Sequence, residues 1–294
     1  MIKKLTIFTP TYNRAHLLPR LYASLCRQTS EDFCWLIVDD GSSDDTENLI
    51  KSWQQEASID IRYFYKENGG MHTGHNLAYE KIDTELNVCV DSDDYMPANA
   101  VELILKKWEN IEDKTKIAGI VGLDAEENGK LIGSGLPDNV QQGSITDLYF
   151  KHGVTGDKKM IIRTDVVRQY PSYPEYKGEK LVPLGILYMM IGQDYDFIYS
   201  NEIYCIVEYQ AEGSSNTIFR QYRQSPRGFA YARMIGKKYT PSLFKNLIQS
   251  THLGSSAIFL SDYSLLLKGS KVYQNLLTFP FAVLLNLYIK RKIK

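Results

Sequence analysis

Short apolar runs alternate with amphipathic stretches along the first 125 residues of the chain. Five runs rich in β-branched or aromatic residues are predicted strands: Leu5–Thr9, Trp35–Val38, Ile61–Tyr65, Leu86–Val90 and Ile117–Leu123. Between them, apolar residues recur at helical spacing and predict helices near residues 17–25, 49–53, 74–82 and 98–108. This alternation favours crossover connections and an α/β fold with a mostly parallel central sheet.

The pattern becomes less regular beyond residue 124. Several glycines and short predicted strands such as Met160–Arg163 favour hairpins and loops that form an acceptor site up to about Pro183. From Thr217 onward the pattern is helical and basic.

Polar clusters follow the first, second and fourth predicted strands: PTYNR from residue 10, DDGSSDD from residue 39 and DSDD from residue 91. Ligands of parallel sheets bind beyond the carboxyl ends of the strands, so we expect the clusters to form one site. Asp91 and Asp93 project to the same side of an extended backbone, and their charges repel unless a cation lies between them. Oxygen ligands suit Mg²⁺ or Mn²⁺. The alternative is a solvated acidic turn.

The first two clusters also contain side chains that suit a nucleotide. The flat ring of Tyr12 can stack on a base, and the Asp40 carboxylate can accept the imide N–H of a uracil. The alternative is a proline turn followed by an Asx-type turn. Arg14 and Lys66 are either diphosphate contacts or solvated charges.

Composition restricts the class of protein. Apolar residues make up 44% and charged residues 23% of the 294 positions, the balance of a globular protein, which excludes collagen, coiled-coil and wholly disordered chains. The four cysteines are scattered without a C-x-x-C pair, which disfavours a thiolate zinc site and favours reduced thiols in a cytoplasmic protein. The apolar stretch before Pro10 is too short for a signal peptide.

The net charge of −1 hides a strong asymmetry along the chain. From Thr217 onward there are 13 Lys or Arg residues and one acidic residue, whereas the first 216 residues carry a net charge of −13. An apolar run, Leu276–Ile289, precedes a final basic cluster. The run is too short to span a bilayer but suits the interface of an anionic membrane. We expect peripheral contact there, with a packed helix as the alternative; nucleic acid is not an expected partner because no known binding motif is present.

The order TPTYNR, VDDGSSDDT, NGG and DSDD resembles that of the family 2 glycosyltransferases. The resemblance is strong from Lys3 to Pro97 and weaker to about Ser215. It implies the GT-A fold, a nucleotide-binding α/β domain, over residues 1–215. A helical basic region that associates with the membrane is then expected over residues 216–294.

The same resemblance implies the site residues. Asp39 would support the nucleotide loop, and Asp93 would be the main metal ligand. The donor nucleotide would be held by Thr11, Tyr12, Arg14, Asp39, Asp40, Asn68, Gly69, Gly70, Asn76, Asp91 and Ser92. The implied metal, Mn²⁺ or Mg²⁺, would be held by Asp91, Asp93 and Asp94.

The implied activity is inverting transfer of a sugar from a nucleotide-sugar donor, expected to be a UDP-sugar, to a hydroxyl of a glycan or lipid-linked glycan. A carboxylate would remove the acceptor proton. Where the family pattern has it, this chain reads Pro183-Leu184-Gly185. Glu179 is the first candidate for the catalytic base and Asp157 the second. Asp194 and Asp196 are further candidates.

Two other classes of protein stay open from the sequence. One is a sugar nucleotidyltransferase, although its glycine-rich basic loop after the first strand is absent. The other is a catalytically silent module that binds glycan or membrane. Lys158 and Lys159 are predicted to be surface residues. His72 and His75 are predicted to begin a helix with backbone partners.

Overall fold

The computed structural model describes residues 3–208 and 217–293. These residues form two compact units. The first comprises the described parts of Met1–Ser172 and Asp194–Gln210, and the second those of Tyr173–Gln193 and Ala211–Lys294. The predicted domain boundary at residue 215 lies outside the described residues.

The first unit is a mixed α/β structure around one sheet. Its strands are β1 (Leu5–Thr11), β2 (Phe33–Asp39), β3 (Ile61–Tyr65), β4 (Leu86–Cys89), β5 (Ile117–Ala125), β6 (Gln142–Gly143), β7 (Lys158–Arg163) and β8 (Asp196–Ile206). Its helices are α1 (Leu18–Cys26), α2 (Thr46–Glu56), α3 (Met71–Lys81), α4 (Ala100–Glu109), α5 (Ile145–Phe150) and α6 (Thr164–Val167).

The strand order in this sheet is β3-β2-β1-β4-β7-β5-β8-β6. The first four strands in that order are parallel, which confirms the predicted crossover units. Strand β7 then lies antiparallel between β4 and β5. The short strand predicted at Met160–Arg163 is therefore present, and it forms part of the central sheet.

Strand β1 continues two residues beyond its predicted end. Pro10 lacks a backbone N–H, but the pairing of β1 with β4 ends at Phe8, so no bond to β4 is lost there. Pairing with β2 continues to Thr11, which lies opposite Asp39. The ends of β1 and β2 are therefore side by side at the carboxyl edge of the sheet.

The core of the first unit lies around β1, β2 and β4, whose side chains are buried on both faces. Leu5, Ile7 and Trp35 have no exposed surface, and the Trp53 ring stacks on Tyr22 with centroids 4.3 Å apart. Burying each large apolar side chain contributes about 1.5–3 kcal/mol. This core fixes the strand ends and so positions the polar loops that follow them.

The second unit is helical, as predicted for the basic part of the chain. Its helices are α7 (Gly185–Ile191), α8 (Ile218–Gln224), α9 (Pro226–Tyr239), α10 (Leu243–Leu260), a 3₁₀ helix (Tyr263–Leu267), α11 (Val272–Leu277) and α12 (Phe279–Lys292). Helix α10 packs against both α9 and α12. Within the described ranges, no helix combines the length and apolar character needed to cross a bilayer.

Candidate active site

The loops that follow β1 and β2 are joined by Asn13. Its side-chain oxygen accepts hydrogen bonds from the backbone N–H groups of Ser43 at 2.8 Å and Asp44 at 3.3 Å. Its own N–H donates to the Ser42 hydroxyl at 2.8 Å. Asn13 has a φ of +53°, in the left-handed region that asparagine tolerates better than most residues. This bridging role is not among the predicted ones; the available signal in the sequence is an Asn, a residue type common in turns, three positions after Pro10.

Asp39 braces the second loop from inside the protein. Its carboxylate accepts the Ser42 N–H at 2.7 Å and the Tyr63 hydroxyl at 2.8 Å. The residue is 1% exposed. The loop that presents Asp40 is therefore held by a buried, fully engaged carboxylate.

The Asp40 carboxylate holds the turn that precedes α3. It accepts the Gly69 N–H at 2.9 Å, the Gly70 N–H at 2.7 Å and the Lys66 ammonium at 2.7 Å. Gly70 has a φ of +96°, which favours glycine. A Cβ at Gly69 would lie 2.7 Å from the Thr73 hydroxyl. Lys66 is therefore paired with Asp40 rather than a solvated charge.

Two buried polar atoms near these loops lack a hydrogen-bond partner within the described ranges. They are the Thr11 hydroxyl oxygen and the Asn68 side-chain oxygen. The amide nitrogen of Asn68 donates to the Asp40 carbonyl at 2.7 Å, which fixes its orientation. Tyr12 is 48% exposed, and Asn76 lies in α3. Buried polar groups without partners are rare in native proteins and call for a ligand or water.

The acidic cluster after β4 contacts the loop after β1 at Arg14. The Arg14 guanidinium lies 3.6 Å from the Asp93 carboxylate, and Arg20 donates to the Asp93 carbonyl. Ser92 is buried in the turn. Burial, and then the neighbouring Asp91 carboxylate, raise the pKa of Asp93 above its ordinary value. The structure thus brings the first and third clusters together and leaves a concentration of negative charge there.

Asp94 is buried within electrostatic range of the same charges. It is 5% exposed, and its carboxylate accepts the Glu208 N–H at 3.3 Å. Burial raises the pKa of Asp94 to about 7, against the opposing effect of the Lys159 charge. The charges of Asp91 and Asp93 also raise the pKa of Asp94, so the three predicted metal ligands interact electrostatically. Asp94 differs in that it also bonds the backbone just beyond β8.

The prediction that Lys158 and Lys159 are surface residues is wrong. They are 8% and 9% exposed, because β7 lies inside the sheet. The Lys159 ammonium lies 3.7 Å from the Asp124 carboxylate and 3.4 Å from the Cys89 carbonyl. Burial lowers the pKa of Lys159, but the acidic groups led by Asp124 outweigh it, so the net pKa lies well above the ordinary value. A buried cation thus lies beneath the acidic cluster.

The Lys158 side chain fixes the loops before β7. Its ammonium donates to the carbonyl groups of Ile132, Thr155, Gly156 and Asp157 at 2.8–3.3 Å. The Asp157 carboxylate itself is exposed. Both Asp157 and Asp91 contribute to the electrostatic environment of Asp124, so Asp157 lies within electrostatic range of the same acidic region.

The two histidines lie inside α3. His75 Nδ1 is 3.3 Å from the Tyr79 hydroxyl, and its ring contacts Phe8 edge-on. Burial, with a smaller effect from His72, lowers the pKa of His75 to about 3. His75 is therefore neutral at ordinary pH and part of the packed core rather than a phosphate ligand.

Glu179 lies in the second unit and caps α9. Its carboxylate accepts the Arg227 and Gly228 N–H groups, both at 2.9 Å, and is 3.7 Å from the Arg227 guanidinium. A carboxylate at a helix N-terminus is stabilised by the unpaired N–H groups and the helix dipole. Leu184, where the family pattern has a carboxylate, ends the segment before α7.

No cluster of three or more His, Cys, Asp or Glu side chains with metal-binding geometry occurs within residues 3–208 and 217–293. A cavity of about 460 Å³ lies elsewhere in the first unit, beside α4 and β8. None of the predicted site residues lines it.

The class of this protein is defined by an α/β fold with polar loops at the carboxyl edge of its sheet. Residues 6–166 match the family model described as glycosyl transferase family 2. The chain belongs to this family. The match covers the first unit from β1 into α6 and includes all three polar clusters.

Comparison with characterised relatives and solved structures agrees with this assignment. A teichoic acid poly(glycerol phosphate) polymerase of Staphylococcus epidermidis is 30% identical over 112 residues, which are 38% of this chain and 16% of that protein. The chain spans only 15–17% of the length of the first four curated relatives it matches.

Two solved structures share the fold. S. aureus TarS 1-349 in complex with UDP-GlcNAc has a TM-score of 0.60 and 17% identity, over 87% of this chain and 81% of that chain. The mannosyltransferase PcManGT from Pyrobaculum calidifontis, in complex with GDP-Man and Mn²⁺, has a TM-score of 0.53 and 15% identity, over 97% and 87%. At these identities the likeness concerns the fold alone.

Proposed function

We propose that this chain transfers a sugar, with inversion, from a UDP-sugar to a hydroxyl group of a glycan or lipid-linked glycan. The observation that supports this proposal most strongly is that the buried side-chain oxygens of Thr11 and Asn68 have no hydrogen-bond partner among the described residues. The neighbouring Tyr12 ring is exposed. A nucleotide would supply hydrogen-bond partners for the first two and a base to stack on the third. The TarS structure with UDP-GlcNAc supports the choice of UDP.

Asp91 and Asp93 are the residues we propose to hold Mn²⁺ or Mg²⁺. Burial and repulsion by the Asp91 carboxylate raise the pKa of Asp93. A divalent cation between the two carboxylates would offset this repulsion and favour their charged forms. Such a metal neutralises charge on the leaving diphosphate. Arg14, 3.6 Å from Asp93, would add a second positive charge beside the diphosphate. Asp94 would keep the acidic turn in place through its bond to Glu208.

Nucleotide titration tests this proposal directly. Calorimetry of UDP, GDP and TDP with Mn²⁺ and with a chelator should show UDP binding that requires metal. Binding of UDP without metal dependence would overturn the role of the carboxylates, and absence of binding by all three nucleotides would overturn the donor site.

Replacing Thr11 by Val should weaken UDP binding about ten-fold without lowering stability. The hydroxyl has no hydrogen-bond partner among the residues that the structure describes. Removing it therefore breaks no bond seen there but leaves a nucleotide group unsatisfied, at a cost of about 1–3 kcal/mol. Calorimetry and thermal unfolding measure the two effects. Thr9→Val is the matched control, because the Thr9 hydroxyl already bonds Val90 and Trp35; it should lose stability. Unchanged UDP affinity in Thr11→Val would contradict the proposal.

The catalytic base that we propose is Asp157 rather than Glu179. The Glu179 carboxylate is engaged with the N-terminus of α9, whereas that of Asp157 is exposed. Asp157→Asn should lower the transfer rate about 100-fold or more with unchanged thermal stability. Glu179→Gln should keep the rate and lower the melting temperature, since a charge leaves the helix terminus. Rates of UDP release decide between them, and the opposite pattern would make Glu179 the base.

We further propose that the basic part of the chain contacts an anionic membrane peripherally. Its 13 basic residues and single acidic residue support this. Such contact would suit an enzyme whose acceptor is linked to a lipid, on the cytoplasmic face of the membrane.

A further inference from the structure

The second unit exposes large apolar side chains to an unusual extent. Thirteen of them, all within residues 243–288, are exposed, compared with three in the described part of the larger first unit. Leu284, Leu277 and Phe281 are 64%, 67% and 63% exposed. Monomeric proteins in water rarely expose so many large apolar side chains in one part of the chain unless a partner covers them.

Helix α12 shows an inverted pattern of burial. Ala282, Asn286 and Ile289 form its buried stripe, and the Asn286 amide donates to the Ser255 carbonyl at 3.3 Å. The opposite side carries Phe281, Leu284, Leu287 and Tyr288, which we call the outward face of α12. A helix packed in water normally places such apolar residues inside and asparagine outside.

The neighbouring helices follow the same inverted pattern. In α11, Gln274 and Asn275 are buried while Leu276 and Leu277 are exposed. In α10, Asn246 and Ser250 have no exposed surface, whereas Phe244 is 71% exposed. Buried polar residues beside exposed apolar ones therefore occur in α10, α11 and α12, next to a small apolar core that includes Leu253 and Ala257.

The packing between α10 and α12 depends on small residues. A Cβ at Gly254 would lie 2.6 Å from the Ala282 Cβ, so glycine is required for this close approach. Close contact through small residues, with Ser and Asn bonding between helices, is typical of helices whose outer surface faces lipid.

From these observations we infer that the outward face of α12 and the adjoining exposed apolar residues of α11 enter the interface of an anionic bilayer. The helices would lie in the plane of the membrane, because α12 has only 14 residues. Tyr288 and the basic Lys290, Arg291 and Lys292 have the composition that favours the headgroup region. This inference goes beyond the proposed peripheral contact by naming the residues that enter lipid.

Charge argues for a membrane over a second copy of the chain. In a symmetric dimer the same surface meets itself, so two basic surfaces would face each other. From Thr217 onward the sequence contains 13 basic residues and one acidic residue, Asp262. Anionic headgroups, by contrast, neutralise this charge.

Flotation with vesicles tests the inference. The full chain should bind vesicles of phosphatidylglycerol and phosphatidylcholine, and bind pure phosphatidylcholine at least ten-fold more weakly. The triple variant Phe281→Ser, Leu284→Ser, Leu287→Ser should lose about 100-fold in partition. Replacing Lys290, Arg291 and Lys292 by Gln should lose about 100-fold at low salt only. Tyr65→Ser, at an exposed residue of the first unit, is the control and should bind normally.

A fluorescent reporter separates insertion from surface adsorption. In Leu284→Trp the tryptophan emission should shift to the blue and be quenched by brominated lipid, whereas Tyr65→Trp should show neither effect. The inference would be overturned if the triple serine variant bound vesicles as well as the unmodified chain does. It would also be overturned if the unmodified chain bound no vesicles but formed a dimer that the triple serine variant converts to a monomer. An Asp93→Asn variant should bind vesicles like the unmodified chain, so failure of the donor site and failure of the membrane face give different results.

Discussion

Replacing Asp93 by Asn should abolish metal-dependent UDP binding and lower glycosyl transfer about 1,000-fold, because a lost metal contact costs several kcal/mol of transition-state stabilisation. Asp93 is partly exposed and contacts Arg14, while the neighbouring Asp94 is buried and structural. The amide keeps the shape of the side chain but loses the charge that would hold the cation. Its effect should therefore be on metal and donor and not on folding.

Two measurements are needed for this variant. Calorimetry of UDP with Mn²⁺ should show affinity equal to that of the unmodified chain in chelator, and release of UDP from a panel of UDP-sugars should report the rate. Asp113→Asn is the matched control, since its exposed carboxylate accepts the Thr115 N–H within its own turn. Full Mn²⁺-dependent affinity in Asp93→Asn would refute the assignment of Asp93.

The arrangement of the donor loops could be predicted because it follows from local sequence and one topological rule. Parallel strands place their carboxyl ends together, and the polar clusters after β1, β2 and β4 stand at those ends. Asp39 and Asp40 are adjacent in sequence, yet one braces its own loop and the other holds the Gly69–Gly70 turn. The two roles differ because the two side chains leave the end of β2 on opposite faces. Strand alternation predicts the opposite faces but not the hydrogen-bond partners on each face.

The acidic and basic residues beneath the site could not be predicted in the same way. Lys159 and Asp124 lie on β7 and β5, and they meet only because β7 inserts antiparallel into the sheet. That insertion is a long-range pairing with no local signal in a short apolar run. Likewise, the burial of polar residues in α10 and α12 depends on how these two helices pack together, although the apolar run Leu276–Ile289 indicates the exposed apolar surface in the sequence.

The buried pair has the largest predicted effect on stability. Lys159→Met should lower the free energy of unfolding of the first unit by about 3–5 kcal/mol, because it leaves the Asp124 charge buried without a cation. Unfolding in urea followed by tryptophan fluorescence measures this, since Trp35, Trp53 and Trp108 all belong to that unit. Lys130→Met is the matched control: its pair with Glu126 is exposed and should be worth less than about 1 kcal/mol.

A second substitution and a pH series identify the cause of that loss. Asp124→Asn added to Lys159→Met should recover most of the lost stability, because the unpaired charge is gone. Burial already raises the pKa of Asp124, and removing Lys159 should raise it further. A carboxyl whose folded pKa exceeds its unfolded value destabilises the fold fully above the folded pKa, and this penalty falls as the pH drops from the folded towards the unfolded pKa. The deficit of Lys159→Met should therefore shrink as the pH falls through the raised pKa of Asp124. A deficit that is independent of pH and unchanged by Asp124→Asn would mean that packing, rather than the buried charge pair, accounts for the role of Lys159.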